Sequence, residues 1–439
     1  MPHLASDANP SVDHRAVSAT LSPLLFRGRP QSSPKAYLGT TQRACSPEDT
    51  LARIEPLLHA AEITRCADIT GLDRVGIPVT LAVRPNARLI VGATGKGTTL
   101  VHAQVSGLME ALEVHHAEYA EGADLGVVMA TYDELSASGA DIVTPGELPI
   151  ARYGTFDTGW TMAWAWGFDL VRQAEAPVPY LYVHMARDYV PNQVARLPFA
   201  QFIAGSNGLA SGNTLLEAIA AGLYEVIERD GIAVWDQASR HQVSPPPVDL
   251  DGADISPVIG DLVDRCRSAG LEPHVMDITT DLGVPTYSAV LLESLGGGFN
   301  QPAGGFGAHL DPEVAMIRAL TEAAQSRVVI IAGSRDDVFR ADRNRRGPRL
   351  LVPGGAPAPT RASLATHTFE GDLRVLFGLL EARGLDRVIV TDLRREPFNL
   401  DVVKVWVPGL EEYCLVSQYR PGVRAGAWTG HVDRVASVA

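Results

Sequence analysis

The chain has 439 residues, 46% of them hydrophobic and 20% charged, which is the balance of a globular protein rather than a disordered or fibrous one. Its formal net charge of −14 would repel nucleic-acid phosphates and anionic lipid headgroups, so neither nucleic acid nor membrane is expected as a partner. No apolar run approaches a membrane span and the start does not read as a signal peptide. Cys45, Cys66, Cys266 and Cys414 lack C-x-x-C spacing, which points to a reduced, cytoplasmic protein.

Residues 1–34, rich in Ser, Pro, Asp and Asn, read as a flexible or loosely docked N-terminal arm. Order is expected from Lys35. Ser46-Pro47-Glu48 starts a helix with a cap, a first-turn proline and an acid at the positive end of the dipole; Pro56 should shorten it. The β-branched runs IPVTLAV and RLIVGA read as strands, Gly95-Lys96-Gly97 as a turn, and Thr99 to Tyr119 as a long helix. Short strands and loops follow, with Trp160, Trp164 and Trp166 read as core. A second long helix runs from about Asn213 to Trp235. The runs PHVMDIT and TYSAVLL read as strands, and Asp311-Pro312-Glu313 opens a third long helix. The end alternates the helix LRVLFGLLEARG with the strands RVIVTDL and VVKVWVPG. Helices and strands alternating throughout imply an α/β, mixed α+β protein. It divides into the arm (1–34), one domain (35–413) and a C-terminal tail (414–439).

The most informative pattern is a set of carboxylates on the long helices. At about 100° per residue, Ser106, Glu110 and Glu113 fall on one narrow stripe, and Asn213, Glu217, Glu225 and Glu228 fall within about a third of their helix's circumference. On the third helix Arg318, Glu322 and Gln325 are similarly spaced, followed by Arg327. Such stripes are either solvated faces or the walls of a shared polar cleft. A solvated face normally mixes Glu with Lys, whereas the first two stripes hold Glu with Ser or Asn and no Lys, so like charges repel unless something neutralises them. Magnesium held between carboxylates and nucleotide oxygens would do so.

Other signals are weaker. GATGKGTT fails as a phosphate-binding loop because its first glycine is missing and Gly97 stands where a Ser or Thr is needed, though Lys96 and the backbone amides remain able to touch an anion. His115 and His116 are expected at the surface or at the helix cap. No Ser-His-Asp or Cys-His arrangement is apparent.

The chain resembles the YcaO family in eight collinear strings between Lys35 and Glu411. These are KAYLGTTQRACSPEDTL, EITRCADITGLDRVGIPV, GKGTT, SGLMEALE, GLASGNTLLEAIAAGLYEVIERD, DITTDLGVPTY, RALTEAAQSR with AGSRDD, and PGLE. The resemblance implies a YcaO-like fold whose long helices line an ATP and Mg2+ cleft against mixed β-sheets. It makes 35–413 the catalytic domain, Glu110, Glu113, Glu217, Glu225 and Glu228 the magnesium ligands, and Glu110, Glu217, Glu228 and Arg229 the catalytic group. Ser106, Asn213, Gln325 and Arg327 would contact nucleotide, and Lys35 and Arg43 would reach its phosphates.

The implied reaction is ATP-dependent activation of a peptide backbone amide. Family members install sulfide to make thioamides, a substrate Cys, Ser or Thr side chain to make azolines, or an amine to make amidines. The chain has neither the proline-rich terminus of azoline-forming members nor room in its arm for a fused leader-binding domain, and its overall pattern is most similar to the members that act beside a TfuA protein. Thioamide formation on a ribosomally made peptide or protein, with a TfuA-type partner, is therefore expected. A separate leader-binding protein and a homodimer are also compatible with the resemblance. Azoline or amidine formation, a small-molecule ligase, and a non-catalytic ATP-binding assembly subunit remain the alternatives.

Overall fold

The computed structural model describes residues 22–186, 202–203, 205–293, 302–333, 353–416 and 418–427. Helices and antiparallel sheets alternate along the chain. The hairpins β1 (Leu24–Phe26)/β2 (Arg29–Gln31) and β3 (Tyr37–Leu38)/β4 (Gln42–Arg43) lead to α1 (Pro47–Ile54), which Ser46 caps through its side chain. As the sequence reading expects, Pro56 ends the α-helix, and the chain continues as a single 3-10 turn over Glu55–Leu57.

Three sheet–helix layers follow. β5 (Arg65–Asp68), β6 (Val79–Val83) and β7 (Gly92–Lys96) form a meander, and α2 (Leu100–Glu118) packs across β6 and β7. A six-stranded sheet is built from β8 (Val128–Ala130), β9 (Met162–Asp169), β10 (Ala174–Pro179), β11 (Leu209–Gly212), β15 (Ile389–Asp392) and β16 (Asp401–Trp406). Its order is β10-β9-β15-β16-β11, with β8 also on β9. The helix α5 (Leu215–Arg240) lies across β11 and β16; the short helices α3 (Tyr132–Ala137) and α4 (Tyr180–Val183) precede it. Finally α6 (Pro257–Ser268) and α7 (Pro312–Ala332) pack on β12 (Leu271–Asp277), β13 (Thr286–Glu293) and β14 (Ala303–Ala308), and α8 (Phe369–Glu381) packs beside α5. Each pairing between the described strands is antiparallel. The mixed helix-and-sheet class is as the sequence implied.

Each long helix thus has its own sheet behind it. On α5 the side chains Leu216, Ile219, Leu223, Val226 and Ile227 are buried against β16 and α8, each contributing roughly 1.5–3 kcal/mol relative to exposure. The polar stripe of the same helix is left facing the other way. Close backbone contact makes this layering possible. A Cβ on Gly95 of β7 would stand 1.9 Å from the Ala103 carbonyl oxygen, and one on Gly305 of β14 would stand 2.2 Å from the Ala323 nitrogen, so helix and strand touch where only glycine fits.

Three local readings differ from the structure. Gly95 and Lys96 end a strand rather than make a turn, because α2 packs directly on them. His115 and His116 are buried. His115 sits between Arg84 and Arg395, its pKa pushed down to about 3, first by burial and then by these guanidinium groups; His116 donates Nδ1–H to the Leu112 carbonyl at 2.7 Å. The arm is packed from Leu24 onward: Leu24 and Phe26 lie in the core, with the Phe26 ring edge-on to Phe168 at 5.4 Å. Residues 1–21 and 428–439 lie outside the described residues.

Candidate active site

The polar stripes of α2, α5 and α7 converge on one cleft of about 840 Å³. Of the residues singled out in the sequence, Arg43, Ser106, Glu110, Glu113, Asn213, Glu217, Glu225, Glu228, Arg229 and Gln325 line it. Helical periodicity gathers these side chains and the three backing sheets aim them inward.

Glu217, in the first turn of α5, is 2% exposed. It accepts hydrogen bonds from the Ala44 N–H (3.1 Å), Asn213 Nδ2 (3.3 Å) and Arg43 Nη1 (3.4 Å). Asn213 is itself fixed by the Thr50 hydroxyl, which donates to its Oδ1 at 3.1 Å. From α2, Glu113 Oε1 accepts both the main-chain N–H and the hydroxyl of Ser211 on β11. Further along α5, Arg229 stands 3.6 Å from Glu228 and 3.8 Å from Glu225, with its guanidinium 4.4 Å over the Tyr413 ring. Arg318 of α7 stands 4.0 Å from Glu228.

The electrostatics are those of a crowded set of carboxylates. Burial pushes the Glu113 carboxyl up to about 8, with Glu110 and Glu225 adding to the rise. Glu225 is pushed up to about 7, by burial first; Arg229 opposes the rise and Glu228 adds to it. Glu228 is also raised by burial, and its Oε2 is buried with no hydrogen-bond partner among the described residues. A buried carboxylate oxygen without a hydrogen bond, in a cleft where burial holds other carboxyls above their usual range, is a site that a cation would relieve. Among the described residues no three carboxylate, imidazole or thiol groups stand together as a complete metal cage. Magnesium takes one or two carboxylates and completes its shell with phosphate oxygens and water.

Two sequence-predicted residues stand elsewhere. Lys35 is buried in an ion pair with Asp372 (2.5 Å), donates to Gln42 as well, and does not line the cleft. Arg327 pairs with Asp73 at 2.9 Å on another face of α7 and is likewise outside the lining. Gln325 lines the cleft while donating to the Thr94 carbonyl at 2.6 Å, so it also ties α7 to β7.

The cleft contains residues that sequence reasoning did not assign to it. Lys404 of β16 is fully buried, its Nζ donating to the Gly205 carbonyl and lying 4.6 Å from the Tyr182 ring centroid; burial pushes its pKa down to about 8. Beside it Glu412 accepts from Asn207 Nδ2 (2.7 Å) and the Tyr182 hydroxyl (2.9 Å). A lysine inside the apolar run VVKVWV is the one local signal for this group. Lys96, read from the sequence only as able to touch an anion, forms an ion pair within the cleft with Glu322 of the third stripe.

Carboxylates facing guanidinium groups in one deep cleft are the donor set for a magnesium–nucleotide complex, and comparison with known proteins gives the class. Residues 94–411 match the family described as YcaO cyclodehydratase, ATP- and Mg2+-binding, and the chain belongs to that family. It is 35% identical to an uncharacterised protein of Methanothermobacter thermautotrophicus over 85% of this chain and 96% of the relative. It is 32% identical to an uncharacterised protein in the tfuA 3′ region of Rhizobium leguminosarum bv. trifolii, over 87% of this chain and 92% of the relative. Among solved structures it is similar to YcaO from Methanopyrus kandleri bound with AMPPCP and Mg2+ (TM-score 0.67, 26% identity, 89% of this chain and 98% of that one). It is also similar to a heterocyclase in complex with substrate and cofactor (TM-score 0.74, 25% identity, 94% of this chain), of which it spans 57%. The chain is thus a member of an ATP-dependent, cyclodehydratase-type enzyme family that binds ATP and Mg2+. No helix among the described residues is long and apolar enough to cross a membrane.

Proposed function

We propose that this protein activates a backbone amide of a peptide with ATP and installs sulfur in place of the amide oxygen, working beside a TfuA-type partner. The observation that carries amide activation is the cleft itself, with its orphaned Glu228 oxygen and the guanidinium groups of Arg229 and Arg318 facing it. The observation that favours sulfur is the relative in the tfuA 3′ region, 32% identical over 87% of this chain.

ATP would supply the phosphoryl group, leaving ADP, and Mg2+ would offset its charge; sulfide adds to the carbonyl carbon, the amide oxygen takes the phosphoryl group, and the C–O bond breaks so that oxygen departs as phosphate. In this reading Glu110, Glu113, Glu217, Glu225 and Glu228 hold the metal ions, with Ser211 fixing Glu113 and the Ala44 N–H and Asn213 fixing Glu217. Arg229 and Arg318 neutralise negative charge developing on the transferred group. Ser106, Asn213 and Gln325 border the nucleotide, and Arg43 faces its phosphates from beside Glu217. Lys35 and Arg327 act through the structure rather than by touching nucleotide. No protein nucleophile is required.

A second reading, azoline formation from a Cys, Ser or Thr of the peptide, is favoured by the likeness to a heterocyclase. The two are separated by mass spectrometry. Purified protein is incubated with ATP, Mg2+, a sulfide source, a TfuA-type protein and a precursor peptide encoded beside it. A gain equal to the difference between sulfur and oxygen is expected. Loss of one water overturns the thioamide in favour of an azoline or an amidine, and no change of mass together with no ADP overturns all of them.

A further inference from the structure

Lys96 ends β7 between two glycines that allow no side chain. A Cβ on Gly95 would stand 1.9 Å from the Ala103 carbonyl oxygen, and one on Gly97 would stand 2.4 Å from the His102 Cβ, so the tripeptide backbone lies directly on the first turns of α2. Lys96 is the one side chain this segment extends into the cleft, where its Nζ meets Glu322 Oε2 of α7 at 2.5 Å, each side chain 19% exposed. Nearby stand Glu228, with its unbonded oxygen, and the guanidinium groups of Arg229 and Arg318.

The pair is not what joins α7 to β7. Gln325 already does so, donating to both the carbonyl (2.6 Å) and the hydroxyl (2.9 Å) of Thr94. Among the cations of this part of the cleft, Arg229 is engaged by two glutamates and a tyrosine ring, Arg318 stands 4.0 Å from Glu228, and Lys404 is buried on the Gly205 carbonyl. Lys96 carries a compact charge on a flexible stem, partly exposed, with a single carboxylate partner that another donor, the Phe306 N–H at 3.4 Å, also bonds.

We propose that Lys96 joins Arg229 and Arg318 in receiving the terminal phosphoryl group of bound ATP, and that Glu322 holds it in place while the cleft is free of nucleotide. This rests on the assignment of the cleft to Mg2+–ATP and adds a pair that the helical stripes do not specify. Binding trades one ionic partner of Lys96 for another, and the freed Glu322 carboxylate then faces the same cation as Glu228.

The test is calorimetric titration, with Mg2+, of the methylene-bridged ATP analogue and of ADP into wild type, Lys96→Met, Lys96→Arg and Glu322→Gln, with thermal melts of each. Lys96→Met is expected to weaken the ATP analogue about tenfold or more, the scale of one charge-assisted contact, and ADP no more than about threefold. Lys96→Arg should recover part of the loss, and Glu322→Gln should bind the analogue at least as tightly as wild type. Equal losses for both nucleotides, no loss at all, or a selective loss of the analogue in Glu322→Gln each overturn the proposal. Should Lys96→Met melt too low to titrate, Glu322→Gln and Lys96→Arg decide it alone. Failure of the wild type to bind either nucleotide would instead overturn the assignment of the cleft.

Discussion

Ser211 donates both its main-chain N–H, at 2.9 Å, and its hydroxyl, at 2.6 Å, to the same oxygen of Glu113. This joins β11 to α2 across the cleft and fixes a carboxylate whose charging burial opposes. Orienting groups behind a metal ligand are typically worth about 10- to 100-fold in affinity. Ser211→Ala, which leaves the main-chain bond, should therefore raise the Mg2+ concentration for half-maximal nucleotide binding about tenfold. Mg2+ titration at fixed nucleotide checks it.

Metal-free stability should fall as pH rises. The Glu113 and Glu225 carboxyls titrate at about 8 and about 7 in the fold, but near 4.5 in the unfolded chain. Through these two carboxyls the unfolded state binds fewer protons above pH ~4.5, but His115 and His116, depressed to about 3 and about 4, act in the opposite sense until about pH 6.5, so the net loss of stability lies between about pH 6.5 and 8. Magnesium needs the ionised carboxylates, so the gain in Tm from Mg2+–ATP should grow over the same window. Melts at about pH 5, 7 and 8.5, with and without Mg2+–ATP, would read both slopes.

Asp230 lies on the face of α5 opposite the cleft, 0% exposed, and is met by Arg424 Nε at 2.8 Å and Nη2 at 2.9 Å and by the Glu411 N–H. Removing the guanidinium leaves a buried carboxylate short of its ionic partner. Arg424→Ala should cost about 3–5 kcal/mol in urea unfolding, and Arg424→Ala combined with Asp230→Asn should cost less than the single change.

Arg327→Ala should destabilise the protein by about 3 kcal/mol or more, because both members of its pair with Asp73 are nearly fully buried. Its Kd for Mg2+–ATP, measured well below its Tm, should stay within about twofold of wild type. A selective loss of nucleotide affinity would return Arg327 to the binding site.

Gly95→Ala should be among the most damaging small substitutions. The added methyl meets backbone of α2 at 1.9 Å and 2.2 Å, atoms that no rotamer change can clear. A loss of about 3 kcal/mol, at the upper part of the range for overpacking, should appear in denaturant unfolding.

The carboxylate stripes were legible because α2 and α5 obey one periodicity along their whole length, so spacing alone put Glu113, Glu225 and Glu228 on inward faces. The same arithmetic explains Arg327. It is five residues from Glu322, about 140° around the helix, and so points away from the cleft that Glu322 and Gln325 line. Lys35 gave no such signal, since a lysine before a hairpin reads alike whether it reaches phosphate or Asp372. Lys404 and Glu412 were hidden for another reason. They reach the cleft because β16 pairs with β11, Lys404 opposite Leu209, and antiparallel register between segments so far apart in sequence has no local signature. The buried histidines were misjudged because His115 takes its two guanidinium neighbours from Arg84 and Arg395, one on either side of it in the chain.

The cleft has a timetable as well as a shape. Thr40 stands at one end of the sequence that walls it and Val416, three residues beyond the Tyr413 stacked on Arg229, at the other. A chain emerging from the ribosome carries Glu110, Glu113, Glu217, Glu225, Glu228 and Glu322 before the segment that completes their enclosure has been made. Nucleotide capture is therefore among the last events of synthesis, reserved for a chain translated through Val416, and a truncated product would present the acidic faces of α2 and α5 without the wall that organises them.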